Sequence, residues 1–331
     1  MKREKLLAGL ILALIFSIFL GFADAQTVQE LDQRLKRVED SLGITTVIAP
    51  IDTTTSLPIY QGIILNGNYD IYPSPYSPMY KDTDGYYKIF IQKAGQPFAV
   101  GSLNGLNNWV YSSAGNMPRG TVMKIGTNTW GAVFHQWYNT LCWIYTAGST
   151  NAYNWSNMYL DRTPHGEDVT FIKEGNLYRI YARMAIPPAI RTIGYMEAYD
   201  KLTNFSSIVE ILKPDAQDGL DQFYSMSVVK GLRGYLGFLN VFNTGTDLVG
   251  VQLVWSPNGE DDWERINNRQ EVLVKKEGAK CVYACANVIG DEIWIATISC
   301  NFGHEELDRN GRFYYTQLYK WKLTEADKLI P

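Results

Sequence analysis

The chain has 331 residues, 46% hydrophobic and 19% charged, with 22 Tyr, 13 Phe and 9 Trp. That apolar share excludes disorder for the bulk of the chain, and the aromatic excess suits half-buried pleated surfaces better than solvated helices. A formal net charge of −4 argues against an extended phosphate-binding face, so no nucleic-acid partner is expected; four Cys are too few for a disulfide scaffold and lack the paired short spacings of a zinc site.

In chain order, Lys2, Arg3 and Lys5 precede an uncharged apolar run over 6–22, followed by Ala23-Asp24-Ala25, a small-x-small cleavage pattern. Residues 1–25 therefore read as a signal peptide, with an uncleaved anchor as the other reading. Either places the remainder outside the cytoplasm, secreted or at the cell surface. Val28, Leu31, Leu35, Val38 and Leu42 then show the alternating spacing of three and four of a coiled-coil seam. Thr27 with Glu30 makes a capping box and Gly43 a stop. With its other faces polar, the helix over 27–43 is expected to be a short coiled coil that makes the protein a homo-oligomer; an amphipathic helix lying on the main domain is the alternative. Residues 44–56, with Pro50 and three consecutive Thr, read as a linker.

From 57 onward one pattern returns five times: an alternating strand, a tight turn, then a second strand rich in Tyr, Ile and Phe. The copies are 77–81 with 86–91, 120–125 with 130–134, 168–172 with 177–181, 225–229 with 234–239, and 281–286 with 292–296. Between them lies a second element, a small-polar turn closed by an aromatic at Trp109, Trp155, Phe205 and Trp263. First strands beginning at 77, 120, 168, 225 and 281 give periods close to the roughly 40–50 residues of a propeller blade with loop insertions. The expected fold is all-β, a five-bladed β-propeller over 57–331 preceded by the signal peptide and the coiled-coil helix. A β-sandwich, the competing architecture, lacks this two-part repeat.

The run 221–228, continuing through 234–238 to Gln252-Leu253-Val254-Trp255-Ser256-Pro257-Asn258-Gly259-Glu260-Asp261-Asp262-Trp263-Glu264-Arg265, resembles the five-bladed propeller glycosidase superfamily of arabinanases, β-xylosidases and levansucrases. The likeness extends over about 57–331. It implies a carbohydrate ligand at the mouth of a central channel, and hydrolysis by carboxylates at the starts of the innermost strands: a base or nucleophile, a general acid, and a third that tunes the acid. In the resembled enzymes the base immediately precedes a Pro in the first blade, a place that here reads Ser77-Pro78. Asp168 stands where the resemblance puts the tuning Asp, and the acid's place falls near Tyr224 and Ser225, with Asp221 just ahead. The candidate catalytic set is therefore Asp70, Asp168 and Asp221. Glu167 is expected to point away from Asp168 by the alternation of a strand.

Candidate substrate-binding residues are His165, in the turn before Asp168, with Tyr224, Trp130 and His304. Trp130 shares a blade with Trp137, Trp143 and Tyr145 and suits either a sugar-stacking platform or the core. The resemblance also implies that a last-blade His, here His304, holds a cation or water on the channel axis; no other cofactor is expected. No nucleophile elbow, P-loop, GxGxxG or HExxH is present. With Ser77 in the base's place, two functions stay open: a glycoside hydrolase, or a non-catalytic glycan-binding or surface-structural protein displayed by its N-terminal coil. Finally, Gly290-Asp291 suits a two-residue turn that sets Cys281 opposite Cys300, within bridging reach in an oxidising compartment. Cys142 and Cys285 would then remain free and buried; four buried thiols is the alternative.

Overall fold

The computed structural model describes residues 57–331 apart from 69–70, 74–76, 94–95, 114–119, 139–140, 152–153, 165, 186–189, 220, 277 and 306–312. The expected signal peptide, coiled coil and linker, and with them Asp70 and His165, lie outside the described residues.

Alternating Val, Ile, Tyr and Phe fold, among the described residues, into 21 strands grouped as five antiparallel blades. The first strand is β1 (Ile59–Asn68), whose pairing partner lies at the far end of the chain. In the first blade β2 (Ile71–Pro73) and β3 (Tyr80–Lys81) both line β4 (Tyr87–Lys93), and β5 (Gln96–Ser102) and β6 (Val110–Ser113) complete it. The second runs β7 (Gly120–Gly126), β8 (Thr129–Tyr138), β9 (Leu141–Ser149), β10 (Ser156–Pro164), and the third β11 (Gly166–Glu174), β12 (Leu177–Ala185), β13 (Arg191–Tyr199), β14 (Val209–Leu212). The fourth is β15 (Asp221–Lys230), β16 (Tyr235–Asn243), β17 (Leu248–Ser256), β18 (Glu264–Arg265). The fifth holds β19 (Cys281–Ile289), β20 (Glu292–Cys300) and β21 (Phe313–Lys322), and its fourth strand is β1, paired along its length with β21. The chain's first described strand thus completes its last blade.

The five inner strands close into a ring through one polar side chain each. Tyr80 Oη donates to the Val122 carbonyl (2.5 Å), Thr121 to Val169 (2.5 Å) and Thr170 to Met226 (2.5 Å). Ser227 Oγ accepts the Ala286 N–H (2.9 Å), and Asn287 returns the ring to the first blade by donating to the Met79 carbonyl (2.9 Å). Backbones converge at the axis of a propeller, and these bonds satisfy polar groups that converge there away from water. The architecture is a five-bladed β-propeller.

The recurring polar turn is a joint between blades. In the fourth blade Ser256 Oγ donates to the Asp261 carbonyl (2.6 Å), while Asn258 Oδ1 accepts the N–H groups of Glu260 (2.9 Å) and Asp261 (3.2 Å). In the first, Asn104 accepts those of Leu106 (2.9 Å) and Asn107 (3.1 Å) in the same way, an Asx turn built by side chain rather than by sheet. So fixed, each turn reaches back to the preceding blade. Arg179 and Tyr181 of the third blade donate to the carbonyls of Asn258 (2.8 Å) and Gly259 (2.7 Å), and Thr146 of the second donates to Leu202 of the third (2.6 Å). Gly105, at φ +72°, lies so close to Trp294 of the fifth blade that a Cβ would meet the indole at 2.8 Å. Trp155 enters the core shared by Tyr80 and Phe90 of the first blade.

The first and last blades depart from the repeat. The inner strand expected at 77–81 is regular only at Tyr80–Lys81, with β2 supplying the rest of the pairing to β4. The outer strand of the fifth blade comes from the opposite end of the chain, which no local pattern announces.

Candidate functional site

Two carboxylates open the inner strand of the third blade. A bulge between Glu167 and Thr170 sets Asp168 in the left-handed region, at φ +51°, and breaks the two-residue alternation. Glu167 consequently does not point away from Asp168, as alternation predicts. Both acids meet Arg183 of β12: Nη1 lies 2.7 Å from Asp168 Oδ2, and Nη2 bonds Glu167 Oε2. All three are buried, at 8%, 8% and 9% exposure, so the ion pairs are shielded from water.

The Arg183 guanidinium also lies over the Tyr224 ring, 4.4 Å from its centre, and Arg191 approaches the same ring at 4.9 Å. Tyr224 stands at a bulge in β15, between Phe223 and Ser225. Its hydroxyl bonds His304 Nε2 (2.5 Å), and the other ring nitrogen, Nδ1, bonds the Tyr283 hydroxyl (2.5 Å). Asp247 holds the loop that carries the imidazole, its backbone carbonyl accepting the His304 backbone N–H (3.0 Å) and its carboxylate the Glu305 backbone N–H (2.7 Å). Burial lowers the His304 pKa, and Arg183 and Arg191 push the same way against Asp247. Burial also raises both tyrosines, Tyr283 well above the usual phenol range. A neutral imidazole donates from one nitrogen and accepts at the other, so Tyr224, His304 and Tyr283 form a continuous hydrogen-bonded chain of neutral groups at neutral pH.

Two further residues belong to this centre, and sequence reasoning missed both as parts of it. His135 Nδ1 accepts the Asp168 N–H (3.2 Å). Burial, with Arg183 adding, brings its pKa down to about 4, which keeps that nitrogen an acceptor. Cys142 lies beside them, its thiol pushed up to about 12 by burial and then by Asp168, against Arg183, and it is therefore unreactive at neutral pH. Nothing in the local sequence distinguishes His135 from any other residue of β8.

Of the expected site residues, Asp168, Tyr224 and His304 converge on one another through Arg183. Asp221 is placed elsewhere: its Oδ1 accepts from Asn243 (2.7 Å), and its charged surroundings are Asp218, Arg265 and Glu271. Burial raises its pKa, with Asn243 opposing. Ser77 is 1% exposed, and its hydroxyl has no hydrogen-bond partner among the described residues, so it is not presented to the channel as a base. Trp130 belongs to the core rather than to a stacking platform: it is 4% exposed and meets Tyr80 and Phe90 edge-on at 5.9 and 5.5 Å. A cation near His304 does not fit the residues present, because tyrosine hydroxyls take both ring nitrogens. Among the described residues no cluster of three His, Cys, Asp or Glu is placed to hold a metal.

The fold is that of the propeller glycosidases. A thermostable family-43 glycoside hydrolase superposes with a TM-score of 0.62 at 12% identity, covering 76% of this chain and 90% of its own. An α-L-arabinofuranosidase from Lactobacillus brevis gives 0.59 at 14% identity over the same shares. The Podospora anserina α-L-arabinofuranosidase solved with cellotriose gives 0.54 at 11%, covering 80% of this chain and 97% of its own. No protein-family model matches the sequence, and no curated protein does.

Proposed function

We propose that this protein is an exported carbohydrate-binding propeller that holds a glycan at the end of the channel where Arg183, Tyr224 and His304 meet, without cleaving it. The fold, shared with glycoside hydrolases, supports carbohydrate as the ligand class. The observation that carries binding over cleavage is the sharing of Arg183 by Glu167 and Asp168. Glycoside hydrolysis needs one carboxylic acid that stays protonated to donate to the leaving oxygen. A carboxylate held on a buried guanidinium does not, and Tyr224 occupies the neighbourhood of the acid. Export is supported by the basic start, the apolar run and Ala23-Asp24-Ala25.

Titration of the purified protein with arabino-, xylo- and cello-oligosaccharides by calorimetry, alongside an assay for new reducing ends, tests this. Saturable binding that weakens at least about tenfold in Tyr224→Ala, a loss of ~1.4 kcal/mol, with no reducing ends formed, is the expected result. Absence of binding to any of them would overturn it. The raised pKa of half-buried Asp221 favours one second reading, in which that residue is a general acid. Steady release of sugar that disappears in Asp221→Asn would establish hydrolysis instead.

A further inference from the structure

The other end of the channel carries a feature that the glycan site does not use. In four of the five blades the inner strand carries, within its last three residues, a Lys directly opposite an aromatic of the second strand: Lys81 and Tyr87, Lys124 and Trp130, Lys173 and Tyr178, Lys230 and Tyr235. Each ammonium lies over its partner ring, at 5.4, 5.6, 5.7 and 5.6 Å from the centre. The fifth blade has Val288 opposite Ile293 in the corresponding hairpin. Such a pairing holds a lysine's stem on an apolar face while its charged head projects beyond the strand.

Lys124, Lys173 and Lys230 stand on three successive blades and line one central cavity of about 370 Å³, which reaches all five inner strands. Each lies three residues beyond the ring hydroxyl of its own strand (Thr121, Thr170, Ser227), so the lysines repeat at one level around the axis. Asp168 and Lys173 are five residues apart on β11, roughly 16 Å along a strand, which separates this collar from the Arg183 centre.

The charge at the collar is not cancelled. Asp82 pairs with Lys88 and Lys124, Asp84 with Lys88, and Glu174 with Lys230. Lys173 and Lys81 have no carboxylate within ion-pair distance among the described residues. Glu174 also pairs with Arg179, and Arg179 with Glu260, so five lysines and one arginine face four carboxylates, an excess of two positive charges in a chain whose net charge is −4. Low-dielectric walls concentrate such a field inside a cleft.

We propose that this cavity is a binding site for a multiply charged oxyanion, a sulfate or phosphate group, held by Lys173 with Lys124 and Lys230. The group arrives either as the free ion or as an ester on a saccharide. Lysine suits this ligand as a mobile point charge that donates to whichever oxygen is presented.

The test is calorimetric titration of the whole protein, at low ionic strength, with inorganic sulfate, inorganic phosphate and a sulfated disaccharide, the unsulfated disaccharide serving as the blank. The expected result is one saturable site that weakens about tenfold or more in Lys173→Gln, whose stem still covers Tyr178, and that survives in Lys213→Gln, an exposed lysine of the third blade. Lys230→Gln provides a second measurement should Lys173→Gln unfold, as judged by circular dichroism. Tighter binding of the sulfated sugar than of either ion assigns the ester as the source, and equal binding assigns the free ion. No saturable binding of any of the three probes, or equal affinity in the Lys173, Lys230 and Lys213 variants, would overturn the proposal. Since glycan binding at the Arg183 end is scored with neutral sugars, failure at one end leaves the other standing.

Discussion

Beside the guanidinium shared by Glu167 and Asp168, His135 is a group whose proton uptake differs between folded and unfolded chain across mildly acidic pH. Its folded pKa, about 4, lies below the ordinary value of about 6.5, so between these limits the unfolded chain binds more protons than the folded one. The stabilising contribution is therefore complete above pH 6.5 and is lost as the pH falls towards 4, by roughly 3 kcal/mol at most. His304, lowered in the same way, adds to the slope. A Gln at 135 keeps an acceptor for the Asp168 N–H but does not titrate. The expected outcome is that melting temperature falls less steeply between pH 7 and 4 in His135→Gln than in the parent; identical slopes would remove His135 as a source of acid sensitivity. This centre was legible in the sequence at Asp168, Tyr224 and His304, because each sits where an inner strand begins or a blade ends. Arg183 and His135 were not, since both lie on second strands and their role comes from a bulge at Glu167 that no periodicity encodes.

Hairpins were the most readable elements. The Gly290-Asp291 turn fixes the register of β19 and β20, and Cys281 does face Cys300, as its two-residue length requires. Both thiols are buried and unbridged, Cys281 donating to the Asp247 carbonyl (3.7 Å) and Cys300 to the Phe302 carbonyl (3.4 Å), and the neighbouring Cys300 thiol is the first cause that raises the Cys281 pKa, ahead of burial. Directly opposed thiols have the proximity that oxidation needs. We expect the oxidised protein, denatured without reductant, to titrate with two free thiols, those of Cys142 and Cys285; four would show that the pair stays reduced. The polar turns were visible as a repeat, but their role as joints was not, because Thr146, Tyr181 and Arg179 meet them from another blade. Trp130 illustrates the same limit: the sequence shows a tryptophan on a strand, and only packing against Tyr80 and Phe90 decides that it is core.

At the scale of the whole molecule, the seam of Val28, Leu31, Leu35, Val38 and Leu42 carries the proposal that the propeller is displayed as an oligomer. Sedimentation of a chain beginning at 26 above monomer mass, beside one beginning at 57 at monomer mass, is the expected result; the same monomeric mass for both would remove the coil's role. The pairing of β1 with β21 has a separate consequence, in the time course of folding. Blades two to four are built from segments contiguous in the chain, so each can form as soon as it is synthesised. The fifth cannot: Asn68 is made early and Phe313, its partner, near the end. Contacts of such sequence separation are slow to form, and β1 presents an unpaired edge until they do. Ring closure is therefore the last act of folding, and the interval before it is when this chain is most exposed to aggregation.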